Sequence, residues 1–229
     1  MRSLLALLLC AAALPARAAK EPPLLLLTCS EATHAKRSAE LERLFDADQK
    51  DRDPIEGRAP LKGSFNAVMN RASRRDLKRR ERVGEILGEG CIESADDYYH
   101  AAMVYQHGLV PDHYFLAYVF AARAAALGSR PARWLRGAAL DRYLENLGYK
   151  QVYGTQAQSL DSSGDSCDCL WPVQEGLTDE ERQAAGMQTL PERMEWLGGL
   201  NKGKKGCQPV FCPVAAKPVS RTTVPGVSW

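Results

Sequence analysis

Between Ser94 and Gly148 three helical segments follow one another with almost no chain between them, and this constrains the fold more than any other feature. Ser94 predicts the start of the first, with Asp97 three residues on as the acceptor of a capping box, and Gly108 predicts its end. Pro111 and Asp112 open the second, which carries Leu116, Val119, Phe120 and Leu127 at helical spacing until Gly128. Pro131 suits the first turn of the third, and Gly148 closes it. Links this short make consecutive helices pack antiparallel or nearly so. Alanine is dense here, at Ala121, Ala122, Ala124, Ala125, Ala126, Ala138 and Ala139, which lets helix axes approach closely. The expected fold is therefore all-α, a compact bundle of short antiparallel helical hairpins.

The flanks add shorter elements. Over 38–47, Leu41, Leu44 and Phe45 share one helical face, and the Pro- and Gly-bearing stretch from Asp53 to Gly63 predicts a loop. Arg71 to Arg82 holds seven basic and two acidic residues, while Leu77, Val83, Ile86 and Leu87 recur at helical spacing. This reads as an amphipathic helix with a solvated basic face. A nucleic-acid contact is disfavoured because no aromatic side chains are interleaved for stacking. Gln158 to Gly164 reads as loop, and no strand alternation stands out anywhere. Thr178-Asp179-Glu180-Glu181 looks like a capped helix start, and Pro191 to Leu197 is a further short helix. The division expected is a signal peptide over 1–19, a linker over 20–37, a helical domain over 38–197 and an irregular tail over 198–229.

Arg2, the apolar run from Leu4 to Leu14 and the small residues up to Ala19 have the pattern of a cleaved secretory signal. The run is shorter than the roughly 20 residues a membrane span requires, so no integral span is expected. Leu7-Leu8-Leu9 before Cys10 does not suit a lipoprotein site. Export to the periplasm or the medium follows as the expectation. Without Cys10 there remain Cys29, Cys91, Cys167, Cys169, Cys207 and Cys212, an even set that favours disulfides in an oxidising compartment. The rival is a zinc site from Cys167, Cys169, Cys207 and Cys212, whose spacings match no standard knuckle.

The 229 residues are 45% hydrophobic and 25% charged, with a formal charge of +2 that falls to neutrality once Arg2 and Arg17 are removed. That balance gives no electrostatic case for nucleic acid or an anionic membrane as the main partner. The chain lacks a Gly-rich phosphate loop, HExxH, GxSxG and a dinucleotide fingerprint, so no cofactor is implied. His34, His100, His107 and His113 lack compact ligand spacing, and no metal ligand is assigned.

Candidate chemistry lies on the first and third of these helices and just beyond. Tyr99, Ala102, Met103 and Gln106 form one stripe, and His107 follows at the negative end of the helix dipole. There the imidazole can simply satisfy free carbonyls. Asp141 sits at the edge of the Leu140, Leu144, Leu147 face, with Arg142 turned about 100° away among Leu135, Ala138 and Ala139. Both charges are expected to be partly buried and to need partners, for example Asp141 with Arg123, or Arg142 with a carboxylate on a neighbouring helix. Gln151, Tyr153, Thr155 and Gln156 follow Gly148 and either strap the helices or line a pocket for a polar ligand.

Asp48-Gln49 with Arg52, Asp97-Tyr98-Tyr99, Gln106-His107-Gly108, Asp141-Arg142 and Gln151-x-Tyr153-Gly154-Thr155-Gln156 stand in a distinctive order. Over roughly residues 40 to 195 the chain resembles a family of bacterial proteins catalogued as a domain of unknown function and marked by DQ, QHG, DR and QxYGTQ elements. The resemblance implies a helical domain and no established activity.

Two functions fit these residues. One is a binding or scaffold module for a peptide, glycan or other polar small molecule, with Tyr98, Tyr99, Tyr105, Tyr114, Tyr153 and Trp134 as aromatic contacts and Gln106, Arg142, Gln151, Thr155 and Gln156 as polar ones. The other is a hydrolase with His107 as general base, Asp141 orienting it, and Gln106 or Gln156 stabilising developing charge. The second requires His107 and Asp141 to meet at one cleft.

Overall fold

The computed structural model describes residues 29–55, 57–160 and 166–219. The expected signal segment, Cys10, the run from Leu24 to Leu27, residues 161–165 and residues 220–229 lie outside them. The described residues form α1 (Glu31–Arg52), α2 (Phe65–Gly88), α3 (Ala95–Gln106), α4 (Pro111–Ala126), α5 (Arg130–Asn146), β1 (Ala157–Ser159), β2 (Asp168–Leu170), α6 (Asp179–Ala184) and α7 (Leu190–Leu200). The all-α expectation holds, since the sheet is a single two-stranded pair.

Local chemistry sets most of the helix ends. Capping boxes join Ser94 to Asp97, Thr178 to Glu181 and Thr189 to Glu192, so each of these helices starts with donors satisfied in both directions. Gly128 and Gly148 take positive φ just past α4 and α5, a conformation that only glycine adopts without strain. Helix α1 departs from the expectation, because Ser30 caps it and the supposed linker is helical from Glu31. Its first turns carry no apolar stripe. They are held by long-range contacts instead: the Cys29–Cys91 disulfide, and the pairing of His34 Nε2 and Ser38 Oγ with Asp97 at 2.8 and 2.5 Å.

Side-chain pairs fix the directions of the helices. Asp51 meets Arg75 while Glu40 meets Arg82, so α1 and α2 are antiparallel. Tyr98 lies by Arg123 and Tyr105 by His113, so α3 and α4 are antiparallel too. Phe115 packs on Tyr143 where α4 enters alongside the end of α5. Helices α1 and α3 run parallel, with His34 at Asp97 and Asp48 at His107. Leu41, Val83, Ile86, Val104, Phe120 and Leu135 form the core between them, and buried Ala101, Ala117, Ala121 and Ala139 set the close spacing.

The solvated basic face expected on α2 forms only in part, with Arg74, Arg75 and Lys78 exposed. Asp76, Arg79 and Arg80 are buried, and Leu77 is 50% exposed. The inward stripe is Val68, Ala72, Asp76, Arg79, Arg80, Val83 and Ile86, one helical face that is charged in its middle and apolar at both ends. Charge is tolerated there because α1 offers partners: Arg79 reaches Asp51 at 2.8 Å and Arg52 reaches Asp76 at 2.8 Å.

Past α5 the chain turns back as a strap over 149–156. The disulfides Cys167–Cys207 and Cys169–Cys212 then fix the irregular tail against β2. The six cysteines thus pair completely, which fits an oxidising, extracytoplasmic environment. The β1–β2 pair, with Gln158 opposite Cys169, was not expected. Three residues are too few to show alternation, and β2 is held largely by its disulfide and by backbone bonds between Leu170 and both Val210 and Cys212. No described helix is long and apolar enough to cross a membrane.

Candidate functional site

A cleft of about 490 Å³ opens where the C-terminal end of α1, the N-terminal half of α2 and the ends of α3 and α5 converge. Its polar wall includes Gln49, Arg52, Asp76, Gln106, His107 and Arg142. Its apolar wall includes Ile55, Met69, Met103, Leu109 and Trp134.

The end of α3 is over-determined. Arg142 Nη1 donates to the Gln106 carbonyl (2.9 Å), Arg80 Nη1 to the His107 carbonyl (2.9 Å) and the Tyr114 hydroxyl to the Gly108 carbonyl (2.8 Å). Side-chain donors from three other helices thus fill acceptors that a helix terminus would otherwise leave to water. The His107 ring is therefore not needed for those carbonyls, contrary to the simple expectation. Gly108 belongs to the same construction: a Cβ there would lie 2.2 Å from the Cβ of His113. Gly108→Ala should push α4 away from the cleft and lower stability by roughly 1–3 kcal/mol. A melt that falls by several degrees would show it, and an unchanged melt would refute the close approach.

His107 turns instead toward α1. Its Nδ1 lies 2.8 Å from Asp48 Oδ2 and 3.0 Å from Oδ1. A carboxylate can only accept, so Nδ1 carries the proton, and in the neutral imidazole Nε2 is the ring's acceptor. Nε2 has no partner among the described residues, and the ring is one-fifth exposed on the cleft wall. Asp48 is fully buried and further held by Gln49 Nε2 (2.9 Å) and Arg52 Nη2 (3.4 Å).

The expected pairing of His107 with Asp141 is not formed. Both Asp141 oxygens are occupied by the strap: Oδ1 accepts the amides of Val152 (2.7 Å) and Tyr153 (3.0 Å), while Oδ2 accepts the amide (3.0 Å) and hydroxyl (2.8 Å) of Thr155. Nor does Asp141 pair with Arg123. Complete burial holds its carboxyl above the usual carboxylate range, and these four donors offset that only in part. Its location is structural, behind the cleft.

The remaining residues named from sequence divide in the same way. Gln106, His107 and Arg142 line the cleft. Gln156 lies behind Arg142, accepting from its Nε at 3.0 Å while donating to Ala138 and Thr155. It has no group left for a reacting centre. Gln151 is fully buried and ties the strap to Gln156 and Trp171. Tyr153 packs near Gly137 on α5, and Tyr99 against Phe45. Neither is part of the cleft wall, so the strap positions Arg142 and does not form the pocket.

Arg142 has no carboxylate within ion-pair distance among the described residues; its other contact is the Tyr114 ring, 5.9 Å from the guanidinium carbon. Burial pulls its ionisation down, nearby Tyr114 and Glu145 oppose that, and the Arg52 charge adds to it. Sequence reasoning missed Asp48, Arg52 and Asp76 as site residues. One signal was available, because continuing the Leu41, Leu44, Phe45 face by a turn reaches Asp48 and then Arg52. No described group of three or more His, Cys, Asp or Glu side chains could hold a metal ion. No family model, curated protein or solved structure matches the chain.

Proposed function

We propose that the protein is an exported hydrolase whose general base is His107, oriented by Asp48 in the place first given to Asp141. The observation that carries this reading is the Asp48–His107 pair, with Nδ1 held at 2.8 Å and His107 on the wall of a cleft of about 490 Å³. His107 Nε2 takes a proton from water as the water oxygen attacks an ester, amide or phosphoester centre. The imidazolium that forms is stabilised by Asp48 and returns the proton to the departing oxygen or nitrogen. Water is thereby added across the broken bond and the histidine restored. Arg142 lies on the same wall and opposes negative charge developing on the reacting centre. Likeness to the helical family marked by DQ, QHG, DR and QxYGTQ elements is likewise proposed, and what supports it is the order of those elements in this chain.

The purified, oxidised protein assayed against chromogenic esters and phosphoesters tests the reading. His107→Gln should reduce hydrolysis about 100-fold or more, within the range for loss of a general base. Equal hydrolysis by His107→Gln and wild type overturns the hydrolase. A binding module is the second reading, favoured by Trp134, which is 44% exposed at the apolar wall.

A further inference from the structure

The cationic groups around the cleft are incompletely partnered. Arg52, Arg79, Arg80 and Arg142 lie within or directly behind its wall, where the carboxylates are Asp48, Asp76 and Asp51, with Glu145 near Arg142 but outside ion-pair distance among the described residues. Arg79 and Arg52 use those carboxylates, and Arg80 and Arg142 donate only to uncharged acceptors. Of the four, Arg52 and Arg142 face the cavity. Arg142 spends Nε and Nη1 on Gln156 and Gln106, leaving Nη2 with no partner among the described residues. Arg52 spends Nη2 on Asp48 and Asp76, leaving Nη1 likewise. A buried guanidinium whose remaining donors face a cavity is stabilised by an anion that accepts from them. The cleft is also lined by Ile55, Met69, Met103, Leu109 and Trp134, whose side chains offer no polar partner except the Trp134 indole N–H.

We infer that the cleft binds a small molecule with an oxyanion head, a phosphate or carboxylate group, held between Arg52 and Arg142, and an apolar body against Met69, Met103 and Trp134. The inference rests on the reading of this cleft as the working site and names its ligand class. The head lies on the His107 wall, so an ester or phosphoester bond at or next to the anionic group falls within reach of Nε2. Neutral ligands of the same shape leave the remaining donors of Arg52 and Arg142 unanswered and bind more weakly.

Calorimetric titration of the oxidised chain with phenyl phosphate, benzoate, inorganic phosphate and benzyl alcohol, at constant ionic strength, tests it. Saturable binding of phenyl phosphate or benzoate is expected, at least 10-fold tighter than benzyl alcohol, and the tighter of the two identifies the head. Inorganic phosphate should bind more weakly than phenyl phosphate, because it leaves the apolar wall empty. Arg142→Gln should weaken the anionic probes 10-fold or more. Because Arg142 also holds the end of α3, Ser73→Asp provides a second variant: it adds a carboxylate to the cleft wall at a half-buried position of α2 and should weaken the same probes as strongly. Absence of binding by both aromatic anions overturns the inference, as does equal binding of benzyl alcohol or unchanged affinity in Ser73→Asp. Saturable binding by a wild-type protein that hydrolyses none of the chromogenic substrates keeps the oxyanion site while rejecting the hydrolase.

Discussion

Removing the Cys29–Cys91 disulfide, by Cys29→Ala with Cys91→Ala, should cost about 4 kcal/mol, the largest effect of any single link in the molecule. The bond closes a loop with a sequence separation of 62. It anchors the start of α1, whose first turns have no apolar face of their own, to the α2–α3 link. For a chain of this size the loss corresponds to a melting temperature lower by roughly 8–16 °C. The two tail disulfides should behave differently. Cys167–Cys207 and Cys169–Cys212 span 40 and 43 residues and overlap almost completely. With either one intact, the other closes only a few additional residues, so removing one should have a small effect. Removing both should approach the Cys29–Cys91 result. Thermal melts of the three variants check this, and a tail disulfide whose single removal matches Cys29–Cys91 would refute the shared-loop argument. Full reduction removes stabilisation comparable to the roughly 5–15 kcal/mol of an entire domain, and should unfold the protein at ambient temperature.

What the sequence revealed and what it concealed follow the range of the interactions involved. Ser94 with Asp97 and Thr178 with Glu181 are read correctly because a capping box is complete within four residues. The α3–α4 and α4–α5 hairpins are legible for a related reason, since a link of a few residues leaves little choice of direction. The parallel alignment of α1 with α3 has no such local signature. It depends on α2 lying between them in the chain and on contacts such as His34 with Asp97. Asp48 therefore could not be matched to His107 from spacing, and Asp141 was the nearer carboxylate on a helix already placed. Helix α2 misleads by its composition. Periodicity assumes that apolar residues face inward, and here Asp76, Arg79 and Arg80 do so while Leu77 faces out, because Asp76 and Arg79 meet charged partners on α1 and Arg80 meets the His107 carbonyl at the end of α3. Polar cleft walls break the hydrophobic pattern at the place where function is sought.

The second large effect is expected at Asp141, where an almost isosteric change separates support from chemistry. Asp141→Asn should destabilise the protein by roughly 3–5 kcal/mol, the range for breaking a buried charged network. In the wild type, both carboxylate oxygens face donors only, three amides and the Thr155 hydroxyl. The asparagine NH2 must replace one of those oxygens, setting N–H against N–H in a site closed to water. If it takes the Oδ2 place, the Thr155 amide and hydroxyl lose their acceptor. If it takes the Oδ1 place, the amides of Val152 and Tyr153 do. Either arrangement loosens the strap, and the strap carries Gln156, the acceptor for Arg142 Nε. The consequence for the cleft is thus indirect: Arg142 loses its support while the Asp48–His107 pair remains on α1 and α3, away from the damage. A melting temperature lower by roughly 6–20 °C is the expected result. The His107 Nδ1 proton, followed by nuclear magnetic resonance below the melt, should keep the shift of its bond to Asp48. An unchanged melt would reject the strap-anchor role, and loss of the His107 signal in a still-folded variant would show that Asp141 acts on the histidine after all.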